Sequence, residues 1–161
     1  MLEMGLDVLL DTSFLLPSFG VDVGEGVERC LKLLADHKGE VRVYYSRYSV
    51  LEAVLILLRE VKRGRLKLED AYEMAEAGVA TVAYGLKAVD EPPSAFGEAL
   101  RLYGLGHRDV FDDVLYATAA TNGMYFLTLD SELVDFVKEK KLAGIALTPV
   151  NLRERLQKSQ E

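Results

Sequence analysis

The stretch GHRDVFDDVLYATAATNGMYFLTLD, residues 106–130, decides how this chain reads. Val110, Val114, Ala117 and Thr118 recur at i, i+4, i+7 and i+8, the spacing of one helix face. Asn122-Gly123 stops that helix, because asparagine and glycine take the left-handed C′ conformation at little steric cost. Residues 124–129 follow as a short apolar run rich in strand formers, closed by Asp130. Carboxylates therefore mark both ends of a helix–turn–strand unit. Asp109, Asp112 and Asp113 stand at the helix start and Asp130 at the end of the strand. In a parallel α/β sheet the C-terminal strand edge is where ligands bind. Acids gathered there point to a cation.

The chain has 161 residues, enough for one domain with a proper core and too few for two comfortable ones. The expected division is a single domain over residues 1–150, with a C-terminal helix and polar tail over 151–161. Half the residues are hydrophobic, 28% are charged and tryptophan is absent, the profile of an ordinary soluble globular protein. A single cysteine, Cys30, excludes an intramolecular disulfide and a cysteine metal site. It shares an apolar helical pattern with Val27, Leu31 and Leu34, which predicts a buried, unreactive thiol. A formal charge of −7 argues against a generic nucleic-acid-binding surface. It leaves room for an enzyme that reaches nucleic acid through a metal and a local basic patch. The N-terminal stretch MLEMGLDVLLDTSFLLPSF lacks a basic flank and is broken by Glu3, Asp7 and Asp11, unlike a targeting segment. The longest aliphatic block, residues 53–58, is far shorter than the roughly 20 residues a bilayer span needs. A cytoplasmic location with no membrane partner is expected.

Working outward to the N-terminus, residues 7–10 read as a central strand, since a continuous apolar run suits burial on both faces. Asp11-Thr12-Ser13 are all good N-caps for a helix through residues 14–16, so Asp11 reads as a cap or as a functional acid. A helix over 25–37 and a strand over 41–45 follow. Ser46 or Ser49 opens the next helix, SVLEAVLILLREVKRG, which is apolar nearly all round and is expected to be mostly buried. Glu52 lies inside it, and a carboxylate there is costly unless paired or bound to metal. Arg59, two turns along the same face, offers an escape through an exposed stripe; a metal-facing role is the preferred reading. The helix ends in a basic run: Arg59, Lys62, Arg63, Arg65 and Lys67. Cations complement a helix C-terminus in any case. As the densest positive patch of an acidic chain, the run is also the first candidate for phosphate-backbone contact, with Arg63 and Arg65 as substrate-binding residues.

Residues 68–84 read as a helix with Leu68, Ala71, Ala75, Val79 and Val82 on its inner face, then a strand over 86–89. Ser94 is expected to cap a helix through residue 102. Beyond the central unit come a helix over 131–140, an edge strand over 143–147 and a last helix over 151–157. Strands alternating with helices imply a three-layer α/β sandwich, a mostly parallel central sheet flanked by helices.

On that frame Asp11 and Asp130 each end a strand, Glu52 sits early in the helix after the second strand, and Asp112 opens the helix after the third. All four fall at one sheet edge. Converging carboxylates repel without a cation. Hard oxygen ligands suit Mg²⁺ or Mn²⁺, which would activate a water and clamp a phosphodiester for in-line displacement.

The segments LLDTSFLL, SVLEAVLIL with its acid, HRDVFDDVLYATA and FLTLD together resemble the successive motifs of PIN-domain nucleases, especially VapC-type toxins. The resemblance runs from Asp7 to about Leu147 and is most specific in HRDVFDDVLYATAATNG followed by TLD. It implies a PIN-like fold and a magnesium-dependent ribonuclease, commonly a homodimer and often neutralised by a small antitoxin protein. Matched residue by residue, its acids are Asp11, Glu52, Asp112 and Asp130. Asp112 rather than Asp113 fits, because Ala117 to Ala119 fix the spacing. Asp109 stands one turn away as a further metal ligand, and the Thr12 and Ser13 hydroxyls become supporting or substrate contacts. Valine at 110 replaces the proline of one branch, and residues 68–103 carry no signature of the family.

A haloacid-dehalogenase-like phosphatase would need a second aspartate where Ser13 stands, and a receiver domain would need a lysine after a late strand. Neither is present. The rival from another class is a PIN-like module that binds RNA or protein without cutting.

Overall fold

Residues 6–10 are an uninterrupted LDVLL, and burial on both faces makes them the centre of the sheet. The computed structural model describes residues 5–160. Residues 1–4, the start of the N-terminal stretch read above, and residue 161 lie outside them. Strand β1 (Leu6–Leu10) pairs in parallel with β2 (Val41–Tyr45) on one side and with β4 (Tyr125–Leu127) on the other. The edges are β3 (Lys87–Ala88) beside β2 and β5 (Ala146–Leu147) beside β4, giving the parallel order β3-β2-β1-β4-β5. The expected α/β sandwich with a parallel central sheet is the observed architecture.

The period-two alternation of strands divides β1 between two apolar layers. Val8 and Leu10 face a core shared with α1 (Glu25–Asp36), α2 (Arg47–Lys62), α3 (Leu68–Gly85) and α7 (Pro149–Lys158). Leu9 faces the opposite layer with residues of α4 (Pro93–Leu105), α5 (Val110–Thr121) and α6 (Ser131–Glu139). Cys30 is buried in the first layer, and burial pushes its thiol up to about 11, the inert state its pattern indicated. Among the described residues no helix is long and apolar enough to cross a membrane.

Four local expectations need correction. The segment after Asp11 forms two short 3-10 turns, Thr12–Phe14 and Leu16–Phe19, rather than one helix. Pro17 and the left-handed Gly20 (φ 75°) keep it from continuing. Helix α2 buries only Ser49, Ala53 and Leu57, while Leu51 is 52% exposed and Leu55 and Leu58 also face outward. It lies on the outside of its layer, so one stripe meets the sheet and another is left uncovered. In α3 the buried face is Ala71, Gly78 and Val82, with Leu68 and Val79 exposed. Phe19 sets that face: a Cβ on Gly78 would stand 2.4 Å from its ring, so only glycine admits it. Finally, α4 is capped by Pro92 with Pro93 at its first position, and Ser94 lies inside the helix. Proline supplies the fixed φ of a first turn without needing a side-chain cap.

Candidate active site at the strand ends

Leaving β1, the chain goes on to β2 on one side, while β4 pairs on the other. The strand order therefore reverses between β1 and β4, and an open parallel sheet has its crevice at such a point. Asp11 and Asp130 stand on the two sides of that crevice. Asp11 continues the ladder, its backbone N–H donating to the Leu127 carbonyl at 3.0 Å. Its buried carboxylate accepts from the Ser13 N–H at 2.8 Å and the Leu129 N–H at 3.2 Å. Asp11 is thus both the cap of the first 3-10 turn and a wall of the cleft. Burial raises its pKa, against the opposing hydrogen bonds from Thr128, Ser13 and Leu129.

Glu52 comes from the second turn of α2, whose start Ser46 caps by accepting from the Tyr48 N–H at 3.1 Å. Its carboxylate accepts a hydrogen bond from the Thr12 hydroxyl, a contact across 40 residues. Burial raises its pKa, Thr12 lowers it, Asp109 and Asp11 raise it, and Arg59 pulls back weakly. The escape toward Arg59 is not taken; Glu52 lines the cleft.

Asp109 caps α5, accepting from the Asp112 N–H at 3.2 Å. Asp112, one turn in, faces Asp130, which caps α6 by accepting from the N–H groups of Glu132 (2.9 Å) and Leu133 (3.2 Å). Burial, then the charges of Asp109 and Asp11, then the hydrogen bond and charge of Asp130 push the Asp112 carboxyl up to about 8. Two carboxyls in hydrogen-bond contact share a proton rather than both ionise.

Asp11, Glu52, Asp109, Asp112 and Asp130, with Thr12 and Ser13, line one open cleft of about 310 Å³. All the sequence-predicted acids meet there. A larger groove, about 620 Å³, lies between α1, β2 and the end of α3, but no carboxylate lines it and it offers no comparable chemistry. Arg63 and Arg65 are not in the cleft. They follow α2, roughly 16 Å along the axis from Glu52, and both pair with Glu60, at 3.2 and 3.3 Å.

One pairing escaped the sequence reading, which named Asp113 only as an acid of the helix start. Asp113, wholly buried, holds its Oδ1 at 2.5 Å from His107 Nδ1, and the opposite ring nitrogen of His107 lies 3.7 Å from Asp130 Oδ2. Burial pushes Asp113 up to about 6, opposed by the hydrogen bond and charge of His107. The only signal available was a histidine just before an acid-rich helix start. A contact between i and i+6 across a loop–helix junction follows no helical or strand spacing.

The cleft's donors are hard oxygens throughout, the set that Mg²⁺ and Mn²⁺ prefer. As the side chains stand, no three acids among the described residues close round a common point tightly enough to hold an ion. Asp112 is in contact with Asp130, and Glu52 accepts from Thr12.

No family model and no curated protein matches the chain. Solved structures do. PAE2754 from Pyrobaculum aerophilum has 21% identity and a TM-score of 0.59, over 96% of this chain and 98% of that one. VapBC2 from Rickettsia felis, bound to a DNA fragment from their promoter, has 13% identity and a TM-score of 0.58, over 89% and 98%. FitAcB from Neisseria gonorrhoeae has 20% identity and a TM-score of 0.56, over 88% and 97%. The fold is PIN-like, as the sequence resemblance implied.

Proposed function

We propose that this chain is a Mg²⁺- or Mn²⁺-dependent endoribonuclease that hydrolyses RNA phosphodiester bonds in the acidic cleft. The observation that carries the reading is the convergence of Asp11, Glu52, Asp112 and Asp130, from four separate segments, at the crevice of a PIN-like sheet. Asp109 is a further ligand at the rim. An ion held there would neutralise charge on the phosphodiester and supply a water acidic enough to attack near neutral pH.

The chain's own residues prepare the place. Two backbone N–H groups fix Asp11, and Thr12 tethers Glu52. Asp130 is fixed through Oδ1 by the N-terminus of α6, in contact with Asp112. Ser13, partly exposed at the cleft edge, can donate its hydroxyl to a phosphate oxygen. Arg63 and Arg65 would meet the substrate only where a bound strand runs outward along α2.

The partner readings belong to the same proposal. A toxin role with an antitoxin protein rests on the VapC-like motifs, and the fold shared with VapBC2 is in keeping with it. A homodimer is supported by two exposed apolar stripes, Tyr48, Leu51 and Leu55 on α2 and Phe96, Leu100 and Tyr103 on α4. They meet where the Tyr48 and Phe96 rings pack edge to face at 5.5 Å. Exposed apolar patches rimmed by polar residues mark interaction surfaces.

The test is cleavage of end-labelled RNA by the purified protein with Mn²⁺, with Mg²⁺ and with chelator. Cleavage is expected with metal only, and Asp11→Asn and Asp112→Asn should lose nearly all of it. RNA bound but uncut under every condition would make the protein a binding module instead.

A further inference from the structure

We propose that His107, braced by Asp113, is a positioning residue that holds Asp130 toward the acid cleft. The inference rests on the metal-dependent reading above and concerns a residue outside its acid set.

His107 lies in the short connection from α4 to α5, directly after Gly106, whose left-handed backbone (φ 116°) turns the chain inward. Its side chain is 10% exposed and packs against the ring of Phe136 in α6, with centroids 5.3 Å apart. The imidazole therefore spans the two elements that deliver Asp112 and Asp130. Its nitrogens face opposite ways: Nδ1 to Asp113 at 2.5 Å, Nε2 to Asp130 Oδ2 at 3.7 Å. The second gap is longer than a hydrogen bond.

Asp130 Oδ1 is occupied by the N–H groups of Glu132 and Leu133. Oδ2 is the oxygen left to serve the cleft, and it is the one His107 faces. Among the described residues, His107 is the one basic side chain with a nitrogen within 4 Å of a carboxylate oxygen of the cleft. Packed against Phe136 and anchored on Asp113, the ring closes off the side of Asp130 away from the cleft and presents Nε2 to its Oδ2. Outer partners that orient ligating groups are typically worth 10- to 100-fold in metal affinity.

Simple space-filling does not account for the arrangement. Asp113 is fully buried, and among the described residues its Oδ2 has no hydrogen-bond partner. An unsatisfied buried carboxylate oxygen is destabilising. An apolar residue at position 113 would carry no such cost. Such local violations concentrate at functional sites.

The experiment is calorimetric titration of Mn²⁺ into metal-free wild type, His107→Gln, His107→Asn and His107→Ala, with melting curves for each. Glutamine places its amide nitrogen near the position of Nε2, toward Asp130; asparagine places it near Nδ1, toward Asp113. The expected result is about tenfold or greater weakening of Mn²⁺ binding in the Ala and Asn variants, with Gln within a few-fold of wild type. Rescue by Asn but not Gln overturns the proposal, because bracing Asp113 would then be the whole role. Equal affinity in all variants, or equal weakening in all three, also overturns it. If His107→Ala does not fold, the Gln–Asn comparison decides alone. Wild type that binds no Mn²⁺ overturns the metal reading itself, an outcome visible before any variant is made.

Discussion

Asp112 is the residue at which the cleft's electrostatics can be read most directly. Burial and three neighbouring acids raise its carboxyl to about 8. Its folded pKa lies above the unfolded value of about 3.9, so the folded state holds a proton that the unfolded chain has released. Its stabilising contribution is full below about pH 4 and is lost as pH rises toward 8. Metal-free wild type should therefore melt at progressively lower temperature between pH 5 and 8. Asp112→Asn should flatten that slope and gain on the order of 1 kcal/mol or more at pH 8, since asparagine has no charge to place among acids. It should also gain less than wild type from Mn²⁺, because metal stabilises by binding the folded state. A variant less stable in chelator, yet equally stabilised by metal, would remove Asp112 from the site. The acids were legible in the sequence because each closes a local pattern: the end of an apolar strand, a cap, or a charge inside an apolar helix. The pairing of His107 with Asp113 was not, because it exists only once α5 and the loop before it are folded.

At the scale of elements, strand and helix order could be read from the pattern, while burial could not. Periodicity says which residues share a face, and the neighbours decide whether that face is covered. Helix α2 is nearly all apolar in sequence and still shows one side to solvent, and the expected inner face of α3 gave way to Phe19 packing on Gly78. That packing makes a prediction opposite in sign to helix propensity. Alanine in place of an interior helical glycine normally gains about 1 kcal/mol. Gly78→Ala should instead destabilise the protein by about 1–3 kcal/mol in urea unfolding, because its methyl would overlap the Phe19 ring. The basic run after α2 belongs to this scale as well. If it contacts phosphates, replacing Arg63 and Arg65 should weaken RNA binding nearly independently of sequence and flatten its salt dependence. An unchanged salt slope would leave these arginines as partners of Glu60 alone.

For the whole molecule, five acids of an acidic chain line one cleft, and exposed apolar residues of α2 and α4 adjoin through Tyr48 and Phe96. If those stripes join two copies, sedimentation should show a dimer, and Leu51→Glu with Leu100→Glu should shift it to monomer without lowering the melting temperature of the subunit. A wild-type monomer at all concentrations would remove the homodimer. The central claim is that the four acids are a cation site. It is met most directly by anomalous diffraction from crystals soaked in Mn²⁺. A peak is expected in the cleft, about 2.0–2.3 Å from carboxylate oxygens that include Asp11 and Asp112 or Asp130. A cleft without a peak at millimolar Mn²⁺, with Asp112 and Asp130 still in contact, would contradict it.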